Sequence, residues 1–314
     1  MLDESAPYIP KGIRPIEKVI PYKDCNYYTY TWKTTLTGER YRGRILVIHG
    51  YRDVHMVYYY TMEQLTKAGF DVFYFDQRGE GRTVLVNGEK GTASDETAFE
   101  AVDFFIAYNL KVLSQESKPD RLYLFTVSMG GGIALNYAAI GKLRTKITAI
   151  ANIGPLILLH PKTYPGKWTE LLVRALCTIP WLQGAHVKTD LHADYIAGDE
   201  KYVNYLADRN ERNPLYATLV ESRDFLLRGR KLLTSERYEK IDKKLPILIC
   251  HGTADYINDI KGSREFMEKL ESVEGMENKR LIEYPGGRHV LFICEPEIRD
   301  KSIQDVVDFF NEFQ

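Results

Sequence analysis

One stretch restricts the possible folds more than any other. Arg121-Leu-Tyr-Leu-Phe125 is a short apolar run rich in strand formers, and it leads directly into Thr126-Val-Ser-Met-Gly130. Gly131-Gly-Ile-Ala-Leu-Asn-Tyr-Ala-Ala139 then carries small and apolar residues at helical spacing. A strand that turns so abruptly into a helix leaves Ser128 at the corner with its hydroxyl exposed. The N–H of the next residue faces the same space, which is the geometry of a nucleophile elbow. Taken alone, the stretch also reads as a serine capping a helix N-terminus, because position 126 is Thr where the elbow pattern has Gly. The rest of the chain decides between them.

The stretch sits within a repeating alternation. Arg44-Ile-Leu-Val-Ile48 is an uninterrupted apolar run of the kind buried on both faces of a parallel sheet, and it runs straight into His49-Gly-Tyr51. Asp71-Val-Phe-Tyr-Phe75 follows, then Ile147–Ile153, Leu245–Cys250 and Arg280–Tyr284. Helical patterns intervene at Tyr58–Lys67, at 95–113 with Phe99, Val102, Phe105, Ile106, Leu110 and Leu113 on one face, and at Lys301–Phe313. Tyr27–Trp32 reads as an antiparallel edge strand. The alternation predicts an α/β fold with a mostly parallel central sheet, helices on both faces, and ligands bound at the carboxyl ends of the strands.

Between Gly154 and about Tyr238 the rhythm breaks. Short helix-like pieces are separated by Pro161, Pro165, Pro180 and Pro214, with apolar clusters at Leu156–Leu159, Trp168–Leu176 and Ile179–Leu182. We expect one domain over 1–314, with a helical cap inserted at about 156–238.

A formal net charge of −1 and the lack of a basic run give no field for a polyanion, so no nucleic-acid partner is expected. No apolar run approaches the roughly 20 residues of a membrane span. Cys25, Cys177, Cys250 and Cys294 form no CxxC pair, and the N-terminal stretch has neither a basic nor an apolar leader region. These features predict a reducing, intracellular setting and a soluble or peripheral protein.

A serine nucleophile needs a base to take its proton and a group to orient that base. Of seven histidines, His49 and His251 follow strands and precede Gly, where a ring braces a loop. His160, His186 and His192 fall in the cap, and His55 in the first loop. His289, in Pro285-Gly-Gly-Arg-His289, follows the last strand. Asp255 follows a buried strand, with Asp259 as its rival. The order Ser128, Asp255, His289, each after a predicted strand, is that of a hydrolase triad. The oxyanion formed on attack needs two fixed N–H donors. Met129 supplies one, and Tyr51, on the loop after the 44–48 strand, supplies the other.

The strings Val47-Ile-His-Gly50, Phe75-Asp-Gln-Arg-Gly-Glu-Gly81, Ser128-Met-Gly-Gly-Gly132 and Tyr284-Pro-Gly-Gly-Arg-His289 resemble those of the fungal monoglyceride lipases of the α/β-hydrolase fold. So do Gly154-Pro-Leu-Ile-Leu-Leu-His-Pro161 and Ile257-Asn-Asp-Ile-Lys-Gly262. The resemblance runs from about residue 30 to the end. It implies hydrolysis of monoacylglycerols and related fatty-acyl esters, without cofactor or metal, by a cytoplasmic protein held peripherally at lipid droplets or internal membranes. By position it makes Ser128 the nucleophile, Asp255 the orienting acid and His289 the base, with Tyr51 and Met129 as oxyanion donors. Other fatty-acyl esters, such as a lysophospholipid or a fatty-acid ethyl ester, are the alternative substrates. Two residues depart from the family pattern: Thr126, and Arg52 where the family usually has Gly. Arg52 is expected either to reshape the ester entrance or to pair with Asp53, and the two departures motivate a catalytically weakened acyl-binding protein as the other reading.

Overall fold

The computed structural model describes residues 5–10, 12–213 and 215–314. Pro214 and the first four residues of the N-terminal stretch lie outside the described residues. The strands are β1 (Ile16–Tyr22), β2 (Cys25–Trp32), β3 (Gly43–Ile48), β4 (Phe70–Phe75), β5 (Val84–Leu85), β6 (Leu122–Val127), β7 (Ala149–Ile153), β8 (His186–Lys188), β9 (Tyr216–Thr218), β10 (Ile247–Gly252) and β11 (Lys279–Tyr284). The helices are α1 (Tyr59–Lys67), α2 (Asp95–Gln115), α3 (Met129–Ile140), α4 (Lys167–Leu176), α5 (Ala193–Ile196), α6 (Glu200–Arg212), α7 (Leu219–Lys231), α8 (Ser235–Tyr238), α9 (Ile260–Glu271) and α10 (Pro296–Asn311).

Among the described residues nine strands form one sheet in the order β1-β2-β4-β3-β6-β7-β10-β11, with β5 beside β2. From β4 to β11 every pairing is parallel, whereas β2 runs antiparallel to β4. The parallel strands β3, β4, β6, β7 and β10 are buried throughout, so their apolar runs are uninterrupted. Residues of α1, α6 and α10 pack on one sheet face, and residues of α2, α3 and α9 on the other.

One expectation is corrected at the N-terminal side. The strand read at Tyr27–Trp32 is antiparallel, but it is not the edge, because β1 pairs outside it from Ile16↔Thr31 to Tyr22↔Cys25. The outer strand is mostly exposed and carries Glu17, Lys18 and Pro21. Charge and proline on an edge strand discourage further pairing, and they also erase the apolar pattern that would betray it.

The elbow is built by close backbone approach. Helix α3 turns back over β3, and a Cβ on Gly130 would lie 2.0 Å from the Ile48 carbonyl oxygen. Gly131 sits similarly on Pro155, and Gly132 on the Leu156 carbonyl. The three glycines therefore let a helix buried from Met129 to Ala139 press onto the strand ends. Thr126 faces this helix from β6. Its hydroxyl donates to Asn152 Oδ1 at 2.6 Å, and Asn152 Nδ2 donates to the Leu248 carbonyl at 3.0 Å. The β-branched side chain thus finds its room sideways along the sheet, in register with Asn152 on β7.

Residues 154–246 connect β7 to β10 and carry α4 to α8 with the short antiparallel pair β8–β9. Helix α6 contributes Tyr202, Tyr205 and Leu206 to the main core. Helix α7 is pressed onto the chain at Ile157, whose carbonyl lies 2.1 Å from where a Gly229 Cβ would stand. A separate cluster of Val173, Cys177, Leu219 and Leu226 joins α4 to α7.

Candidate active site

Ser128 ends β6 and opens α3 at φ 52° and ψ −115°, a conformation that costs a non-glycine residue about 1–3 kcal/mol. Three bonds hold it there: its N–H donates to the Ile153 carbonyl at 3.0 Å, and its own carbonyl accepts from Gly132 N–H at 3.1 Å and Leu156 N–H at 2.9 Å. Backbone bonds on both sides thus keep Ser128 in a strained conformation that a simple helix cap does not need. No side-chain capping bond forms at Ser128.

His289 follows β11, and its Nδ1 lies 2.8 Å from Asp255 Oδ2. Both residues are 4% exposed. The other carboxylate oxygen, Oδ1, accepts from the Ile257 and Asn258 N–H groups at 2.8 and 2.9 Å. Asp259, the rival acid, instead caps α9 by accepting from Lys261 N–H.

A second histidine reaches the same aspartate. His251, fully buried at the end of β10, has Nε2 3.1 Å from Asp255 Oδ2 and Nδ1 2.8 Å from Ser263 Oγ. Nε2 also faces the Asn258 carbonyl at 3.3 Å, so two acceptors fix the proton on Nε2, and Nδ1 accepts from the Ser263 hydroxyl. Burial works to raise the Asp255 pKa, but the two imidazoles hold its carboxyl well below the usual carboxylate range. The sequence suggested only a loop brace at His251; the signal available was its spacing of four residues before Asp255 across a strand end. Gly154, at φ 50°, was also missed. A side chain there would meet the His289 carbonyl at 2.8 Å and Asp255 Oδ2 at 3.2 Å.

On the β3 side of the elbow, Gly50 lies so close that a Cβ on it would be 3.3 Å from Ser128 Cβ. Gly50 N–H donates to Asp53 Oδ2 at 2.8 Å, and Tyr58 OH donates to the same oxygen. His49, whose pKa burial pushes down, braces the loop as a neutral ring. Its Nδ1 meets the Gly50 carbonyl at 2.7 Å, and its Nε2 accepts from Gln77 N–H at 3.0 Å. The N–H groups of Tyr51 and Met129 carry no hydrogen bond within the described residues, which leaves both free to donate to a ligand oxygen.

Arg52 does not pair with Asp53. Its guanidinium lies 3.4 Å from Glu80 Oε2 and 3.8 Å from Glu221 Oε2, because the backbone at φ 53° directs the side chain between the β4 exit loop and α7. Burial pushes the Glu80 carboxyl up to about 8 despite the pull of Arg52, and the neighbouring Glu221 and Asp53 push the same way.

Ser128, Met129, Tyr51 and His289 line one cavity of about 290 Å³. Leu156, Leu159, Val173, Leu191, Phe225 and Leu226 from the β7–β10 connection give it an apolar wall. Among the described residues, no group of histidine, cysteine or acidic side chains has the arrangement of a metal site.

A sheet of this order, with a strained serine after β6 and an Asp–His pair from the ends of β10 and β11, defines an α/β-hydrolase. A family model described as serine aminopeptidase S33 (Hydrolase_4) matches residues 39–297. The monoglyceride lipase of Saccharomyces cerevisiae is 34% identical over 85% of this chain and 83% of its own length. A putative monoglyceride lipase of Schizosaccharomyces pombe is 30% identical over 86% of this chain and 68% of its own. The crystal structure of a soluble variant of the S. cerevisiae monoglyceride lipase, bound to a substrate analogue, superposes with a TM-score of 0.87 at 29% identity, covering 98% of both chains. The monoacylglycerol lipase of Paleococcus ferrophilus gives 0.71 at 25% identity, over 92% of this chain and 99% of that one. The chain belongs to the S33 family of α/β-hydrolases, among its monoglyceride lipases, and is an enzyme of the serine hydrolase class.

Proposed function

We propose that the protein hydrolyses the ester bond of monoacylglycerols, releasing fatty acid and glycerol through an acyl-enzyme on Ser128. His289 takes the Ser128 proton as Oγ attacks the ester carbonyl, and Asp255 orients the ring and stabilises the imidazolium. The oxyanion settles between the N–H groups of Tyr51 and Met129. His289 then protonates the departing glycerol oxygen, and a water activated by the same ring releases the fatty acid.

The observation that carries this reading is the cavity. A long apolar wall ending on Ser128 suits one acyl chain, and its polar groups are few. It offers no built pocket for the free amine of an aminopeptidase substrate. The carboxylates that line it are Asp53, committed to Gly50 and Tyr58, and Asp190, which shares its wall with Lys188, rather than a cluster of free acids. In a panel of 1-monooleoylglycerol, lysophosphatidylcholine, ethyl oleate and leucine p-nitroanilide, kcat/KM should be highest for the monoacylglycerol by at least about tenfold. Preferred cleavage of the anilide would refute the reading, and preference for another ester would move the substrate assignment to that ester.

We read residues 156–238 as a cap over one domain, and its outer face as the part that meets lipid. Helix α4 sends Thr169 and Val173 to the cavity, while Trp168, 84% exposed, and Leu171 and Leu172 lie outside. Trp181, 82% exposed, stands on the following turn. Exposed tryptophans and leucines of this kind enter the interfacial zone of a bilayer or droplet, keeping the protein peripheral. No helix among the described residues is long and apolar enough to cross a membrane. The double variant Trp168→Ala, Trp181→Ala should bind oleate-containing phosphatidylcholine vesicles about tenfold or more weakly, with an unchanged unfolding midpoint. Equal vesicle binding would remove this face from the account.

A further inference from the structure

We propose that Arg52 is a positioning residue that clasps the oxyanion loop to the cap, so that seating the cap over an acyl chain sets the Tyr51 N–H in its working place. The proposal rests on the assignment of Tyr51 as an oxyanion donor.

The guanidinium is planar and uses its two edges on two different parts of the molecule. Toward the body, Nη1 donates to the Gly79 carbonyl at 2.6 Å, and the Arg52 backbone N–H donates to Glu80 Oε2 at 3.1 Å. Toward the cap, Nε and Nη2 both donate to the Tyr216 carbonyl, at 3.0 and 2.5 Å. Tyr216 belongs to β9, and two residues on Thr218 caps α7 through the reciprocal bond with Glu221. One side chain therefore ties the β4 exit loop to the β9–α7 corner of the cap.

Arg52 also adjoins the donor peptide of Tyr51, and Tyr51 touches the cap independently. Its hydroxyl lies 3.0 Å from Thr189 Oγ1, and its ring packs edge-on to Phe225 with centroids 4.9 Å apart. Phe225 is on α7 and lines the acyl cavity beside Ser222 and Leu226. A chain filling the cavity presses on α7, and α7 is linked through Tyr216 and Phe225 to the Tyr51–Arg52 unit. Water competes little for these contacts, since the Arg52 side chain is 20% exposed and those of Glu80 and Glu221 beside it are 3% and 5% exposed. A lysine could supply the charge but not the fork that reaches Gly79 and Tyr216 together.

The test compares Arg52→Gln and Arg52→Lys with wild type on p-nitrophenyl acetate, too short to engage the cap, and p-nitrophenyl decanoate. The decanoate-to-acetate ratio of kcat should fall about tenfold in both variants, with fluorophosphonate labelling of Ser128 and the unfolding midpoint retained. An unchanged ratio, parallel loss on both esters, or restoration of the ratio by lysine overturns the clasp. If wild type itself is not labelled, the Ser128 assignment fails instead, so the two failures are told apart.

Discussion

Ser128→Ala should fold as wild type does yet lose about a million-fold in kcat, together with all labelling by a fluorophosphonate. The reason lies in what the hydroxyl does and does not hold. Its oxygen makes no hydrogen bond among the described residues, while the strained φ of 52° is kept by backbone bonds to Ile153, Gly132 and Leu156, which alanine preserves. The variant therefore loses the nucleophile and little else, and its denaturation midpoint should stay within a degree or two. The intact oxyanion donors and cavity should leave a residual rate of about 10³–10⁴ over the uncatalysed reaction. A kcat within tenfold of wild type, after removal of contaminating esterase by active-site titration, would mean that a different group attacks the ester.

Much of this arrangement could be read from the chain because buried parallel strands announce themselves. The runs at 45–48, 72–75 and 122–125 are apolar without interruption since both faces are covered, and the motifs after the first and third lead into the cavity. What escaped was of two kinds. Strand β1 is mostly exposed, and β8 and β9 are three residues each, too short for a period to emerge. Other features depend on register and on long-range contact. Thr126 departs from the elbow pattern in the sequence, and only the register shows its partner, Asn152, opposite it on β7. Of the two expectations for Arg52, pairing with adjacent Asp53 fails because the backbone faces the side chain toward Glu80, Tyr216 and Glu221. Both departures from the family pattern are thus accommodated by hydrogen bonds within the fold.

Asp255→Asn should lower kcat by about 10⁴-fold with a smaller change in KM, and the effect should run through both histidines that share its Oδ2. In wild type that oxygen accepts from His289 Nδ1 and His251 Nε2, at 2.8 and 3.1 Å. In the variant the carboxamide oxygen keeps the Ile257 and Asn258 N–H bonds, which leaves the NH₂ group facing both rings. Each ring must then present an acceptor. For His251 the demands conflict: an acceptor at Nε2 suits the new NH₂ but faces the Asn258 carbonyl, so a proton moved to Nδ1, where it can be donated to Ser263 Oγ, gives up that bond. For His289 the switch is fatal to catalysis, because a proton moved to Nε2 blocks the position that must receive the Ser128 proton. The charge that would have stabilised the imidazolium is gone as well. Proton NMR should report the exchange, with the low-field Nδ1–H resonance of His289 present in wild type and absent in the variant. A variant that retained kcat within tenfold would assign the orienting role to a group other than Asp255. His251→Gln would then become the informative comparison, since its amide can still donate to the aspartate from the same side.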